Sequence, residues 1–190
     1  MLINKIEKFC KDNIDNRDQR VLFYNIISLL LNPFRNDIIE EERKRVAGDY
    51  KYISSNCIAK YSLALPFYRI SVDALSLLKE KGFNEDETVT RNKWYGKSKG
   101  FVYDHARPVN ITRDLLLNID TSIDFDDYMD NVLKILNDDY IVVITREEDD
   151  MINSLGLRDE LVDNSILKRY ESANIVISDT VMNVNGAIKR

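Results

Sequence analysis

The chain holds one histidine in 190 residues, two cysteines, three prolines and one tryptophan. One His and two isolated Cys, Cys10 and Cys57, cannot supply the ligands of a Cys/His structural zinc site. Zinc fingers and zinc deaminases are excluded. The cysteines lie far apart and form no CxxC, so buried free thiols are the expected state inside a cell. No apolar run approaches the roughly 18 residues that span a bilayer. The longest, "VLFYNIISLLL" (Val21 to Leu31), is broken by Asn25 and Ser28. The opening "MLINKIEKFCKDN" is amphipathic and lacks the apolar core of a secretory signal. These absences predict a cytoplasmic protein without a membrane contact. GxxxxGK[ST], GxGxxG and GxSxG are all missing. With one His and no Cys-His or Ser-His spacing, a hydrolase triad has no support. No internal repeat or low-complexity segment is found.

What is present is ordinary for a globular chain: 44% hydrophobic and 31% charged residues. The length suffices for one domain with a real core. Net charge is −5, which excludes a general nucleic-acid coat. The charge is unevenly spread. Arg91 to Asp114 holds six basic residues and two acidic ones, Asp104 and Asp114. Leu115 to Asp150 holds eleven acidic residues against Lys134 and Arg146.

Periodicity predicts helices through most of the first half. Ile3, Ile6, Phe9 and Cys10 share one stripe, and Val21, Leu22, Tyr24, Ile26 and Leu29 continue it until Pro33. "NDIIEEERKRVAG" reads as a charged helix ending at Gly48. Residues 54–65 read as another, stopped at Pro66. "SVDALSLLKEKG" is the clearest, with Ser71 as cap and Gly82 as stop. Residues 83–99 carry no clean period. In the second half, strands are expected near 101–105, 140–144 and 174–178, with "DYIVVIT" the strongest. Short helices are expected over "RDLLLNI", "DFDDYMDNVLKIL", "REEDDMINSLG" and "ILKRY", and the tail "VNGAIKR" reads as frayed. The expected fold is α+β. A helical region, 1–82, leads through a junction, 83–99, into a mixed region, 100–190.

The lone histidine lies in "GFVYDHARPV" (Gly100 to Val109), beside Asp104 and at the end of an expected strand. This strand, the strand "YIVVIT" and the helix "REEDDMINSL" together resemble, over 100–155, the ββα-metal core of HNH-type endonucleases. The resemblance implies a metal-dependent nuclease, or a domain derived from one. His105 would be the general base, since a neutral imidazole takes a proton from water near neutral pH. Asp104, with Glu148 or Asp149, would hold Mg²⁺ or Mn²⁺ against the phosphate. "TREE" also fits a capping box between Thr145 and Glu148, which accounts for the acidic turn without metal. The Asp cluster 124–130 lacks the spacing of a calcium loop.

The segment "RNKWYGKSKG" interleaves Arg91, Lys93, Lys97 and Lys99 with Trp94 and Tyr95. With Arg107, these residues are the expected contacts to DNA or RNA, by phosphate pairing and base stacking. Trp and Tyr at a junction also serve as anchors to a core. A reading of another class makes the chain a non-catalytic acidic protein, an inhibitor or accessory factor from a phage or mobile element. Its acidic stretch 114–150 would then meet a basic protein partner. The Ile-, Asn-, Lys- and Asp-rich composition suits an AT-rich bacterial or phage genome under either reading.

Overall fold

The computed structural model describes residues 2–31, 54–82, 100–183 and 188–189. In chain order the elements begin with α1 (Leu2–Asn13) and α2 (Arg17–Leu30). A helix over 54–63 is α3. There follow β1 (Phe67–Ser71), α4 (Val72–Glu80), β2 (Phe101–His105), α5 (Val109–Leu117) and α6 (Phe125–Asn137). The chain closes with β3 (Ile141–Thr145), α7 (Arg146–Ser154), α8 (Ile166–Ser172), β4 (Ile177–Asn183) and β5 (Ile188–Lys189). The class is α+β, as expected. No described helix is long and apolar enough to cross a membrane.

Two compact units are present: Met1–Ala64 with Thr112–Asp138, and Leu65–Ile111 with Asp139–Arg190. The first is helical. Asn16 caps α2 by accepting from the Asp18 and Gln19 backbone N–H groups. Phe9 of α1 stacks on Phe23 of α2 at 5.8 Å, and Phe23 meets Tyr61 of α3 at 6.4 Å. The Tyr61 hydroxyl donates to Asn137 Oδ1 at 3.0 Å, which satisfies the polar tip of a buried ring. α6 contributes Tyr128, Met129, Val132 and Leu136 to the interior. Asp124 caps it by accepting from the Asp126 backbone N–H. The core stripe of α2 differs from expectation: Phe23, Ile26, Ile27 and Leu30 are buried, while Val21 is 55% exposed.

The second unit is built on a mixed sheet of order β2-β3-β1-β4-β5. β3 pairs parallel with β1, through Arg69↔Val142 and Ile70↔Val143. It pairs antiparallel with β2, from Phe101↔Thr145 to His105↔Ile141. All of β3 is buried, which suits its β-branched run and central place. β1 was not anticipated. "FYRIS" is short and interrupted by Arg69, yet it buries Tyr68 and Ile70 and pairs on both edges. β1 and α4 therefore belong to the sheet unit, whereas the sequence assigns them to a helical region 1–82. The helix expected over 36–48 and the junction 83–99 lie outside the described residues.

Helix ends explain the remaining differences. α7 ends as "INSLG" predicts: Gly156 has φ +70°, its N–H bonds Asn153 O, and Leu157 N–H bonds Ile152 O. α8 ends the same way, with Asn174 at φ +56° and Ile175 N–H on Tyr170 O. That motif consumes Asn174 and Ile175, so the strand expected at 174–178 starts only at Ile177. The tail expected to fray instead pairs Ile188 and Lys189 with Met182 and Val181. α5 starts directly after Pro108, four residues before the expected "RDLLLNI".

The parallel strands β1 and β3 each run straight into a helix. Ser71 caps α4 through Ala74 N–H at 3.0 Å. Thr145 and Glu148 form the capping box of α7. Glu148 Oε2 accepts from Thr145 N–H and from the Ser71 hydroxyl, both at 2.7 Å. One buried carboxylate thus ties the starts of two neighbouring helices. Thr145→Ala is expected to cost about 1 kcal/mol, read as a lower urea midpoint with unchanged m.

Candidate functional site

β2 is an edge strand of the sheet, and its last residues present the predicted pair. Asp104 does not stand open. Arg169 of α8 grips it with both terminal nitrogens, Nη1 on Oδ2 and Nη2 on Oδ1 at 3.1 Å. The Tyr170 hydroxyl donates to the same Oδ2 at 2.6 Å. Arg169 is 1% exposed. Its remaining donors are placed as well: Nε on Leu157 O at 2.8 Å, and Nη1 also on His105 O at 3.2 Å. Burial alone would pull the arginine pKa down, but the bonded, charged Asp104 outweighs it and the pKa rises. Burial, reinforced by Asp104, also pushes the Tyr170 hydroxyl well above its ordinary range.

His105 is half-buried, and its Nδ1 is buried with no hydrogen-bond partner among the described residues. Burial lowers its pKa. Asp104 opposes this and Arg169 adds to it. Burial and Arg169 thus both disfavour the imidazolium.

A cavity of about 480 Å³ opens beside this edge. It brings together Asp104, His105 and Asp149, three of the four residues named from the sequence as base and metal ligands. Glu148 is not among its lining residues; it serves the helix starts. Arg146 and Arg158 line the cavity too, with the amides of Asn110 and Asn153. The Arg146 guanidinium lies 3.7 Å from Asp149 and 3.6 Å from Asp150, close enough to attract but too far to hydrogen-bond. Arg158 is exposed and has no ion pair among the described residues. Val102, Pro108 and Ile152 supply the apolar part of the wall.

Two of the carboxylates named as metal ligands have protein partners. Asp104 already holds a cation, the Arg169 guanidinium, and Glu148 Oε2 already has two protein donors. Among the described residues no group of three or more His, Cys, Asp or Glu side chains is placed to hold a metal. Arg107 lies in the same unit, its backbone N–H on Asp139 Oδ1 at 3.4 Å, and does not line the cavity. Arg91, Lys93, Trp94, Tyr95, Lys97 and Lys99 fall outside the described residues. Sequence reasoning missed Arg146, Arg158 and Arg169. Arg158 follows the Gly156 turn, where a polar residue carries no signal. Arg169 sits in "ILKRY", where nothing distinguishes a buried Arg from the exposed Lys168 beside it. Comparisons with protein-family models, curated proteins and solved structures found no match for this chain.

Two outcomes are expected. Arg169→Ala leaves Asp104 without its cation and should cost about 3–5 kcal/mol. The double change Asp104→Asn with Arg169→Met removes both charges and should cost less in the same urea titration. The single imidazole should titrate below 6.5 by NMR. The unfolded chain then takes up a proton at higher pH than the folded one. The stability from the neutral ring is present above 6.5 and is lost as pH falls through the folded pKa. His105→Gln should flatten that acid slope.

Proposed function

We propose that the chain is a nucleic-acid-interacting domain, nuclease-derived in character, that engages phosphate in the cavity beside β2. The observation that carries this reading is the pairing pattern. Arg169 cancels Asp104 and Arg146 faces Asp149 and Asp150, while Arg158 lines the same cavity without an ion pair among the described residues. Guanidinium forks match phosphate oxygens in geometry and charge. The His105 imidazole lines the same cavity, where it would be placed to accept a proton. Because Arg169 already occupies the Asp104 carboxylate, binding rather than metal-dependent cleavage is the activity proposed.

A second reading rests on α6. Asp124, Asp126, Asp127 and Asp130 are all exposed around its first turns, a face that suits a basic protein partner. The two readings separate in one experiment. Labelled single-stranded DNA and RNA are titrated by anisotropy, with and without Mg²⁺ or Mn²⁺, and a basic protein is titrated in parallel. Arg146→Ala with Arg158→Ala should weaken nucleic-acid binding by about tenfold or more. Asp126, Asp127 and Asp130 changed to Asn should leave it unchanged. Absent nucleic-acid binding, together with basic-protein binding lost in the Asn variant, reverses the order of the readings. Metal-dependent cleavage abolished by His105→Ala would restore the nuclease.

A further inference from the structure

The cavity is not the groove that a polyanion would need. Its charged lining is balanced: Arg146, Arg158 and Arg169 stand against Asp104, Asp149 and Asp159. A protein that tracks a nucleic-acid backbone presents a row of uncompensated cations, because affinity comes from the phosphates it neutralises. A balanced lining attracts a long polyanion weakly. It suits a ligand that is anionic at one end and carries both donors and acceptors at the other.

We propose that the cavity takes a single nucleotide unit, a nucleoside monophosphate or the terminal residue of a strand. This inference rests on the nucleic-acid reading and narrows its ligand. Arg158 is the phosphate contact. It is exposed, lacks an ion pair among the described residues, and follows Leu157, whose carbonyl Arg169 holds at 2.8 Å. Arg146, in the first turn of α7, already faces Asp149 and Asp150 at 3.7 and 3.6 Å, which leaves Arg158 as the cation for phosphate. Asp149 and Asn153 lie one helical turn apart on α7 and both line the cavity. A carboxylate and an amide at that spacing share a helix face and accept from the amino and imino groups of a base. Val102, Pro108 and Ile152 give the base an apolar wall. The volume of about 480 Å³ lies in the range of small-ligand sites. The His105 ring lines the same space, and burial disfavours a positive charge on it.

Isothermal titration of the full chain with each nucleoside 5′-monophosphate, the matching nucleosides, inorganic phosphate and a hexanucleotide tests this. At least one monophosphate should bind, about tenfold or more tightly than its nucleoside or phosphate alone. Arg158→Ala should remove that advantage and leave nucleoside binding as it was. Asp149→Asn with Asn153→Ala should weaken the nucleoside arm. Arg158 is exposed, and an unchanged thermal midpoint shows that its variant folds. Hexanucleotide binding with no monophosphate binding overturns this inference and leaves the broader reading standing. Monophosphate binding indifferent to Arg158 also overturns it. Silence from every ligand overturns both.

Discussion

Arg169 carries a full charge into the interior of the sheet unit, and the site is organised around that charge. A guanidinium at 1% exposure loses its water and must find acceptors in the protein. It finds them on three segments: the Asp104 carboxylate and His105 carbonyl at the end of β2, the Leu157 carbonyl after α7, and the Tyr170 hydroxyl beside it on α8. Such a pair adds little net stability over an apolar substitute, but half of it cannot be removed cheaply. Its effect is positional. The turn that presents Arg158 is held from within by the Gly156 motif and from outside by Arg169. β2 is held at its free end, where the lone imidazole sits.

Glu148 shows the same physics with the opposite sign. Its carboxylate is buried where two helices start, and it takes its donors from Ser71 and from the Thr145 backbone. Partial positive charge at helix starts favours an anion there. Asp104 and Glu148, both attractive as metal ligands by residue type and position, serve as internal counter-ions. A buried carboxylate needs donors. Residue type does not reveal whether they come from a bound cation, an arginine or a helix end.

Local signals were read well wherever they act within a few residues. Ser71 and Thr145 cap the helices they were expected to cap, because an oxygen side chain meets backbone N–H groups two or three positions on. Gly82 and Gly156 stop helices, because a positive φ suits them. β1 was missed because five residues with an internal Arg carry too little pattern, and its strand state comes from pairing with β3 and β4. Of the site, Asp104, His105 and Asp149 were legible as a cluster. The partner of Asp104 was not, because Arg169 lies 65 residues from it.

The chain by itself determined the α+β class, the helix caps and stops, and the core strand β3. These depend on neighbours along the chain and on apolar pattern, both written in residue order. Only the tertiary structure decided which charges are spent and which are free. That choice joins residues brought together by sheet pairing and helix packing. It left Asp104 paired with Arg169, Glu148 capping, His105 disfavoured as a cation, and Arg158 without an ion pair among the described residues.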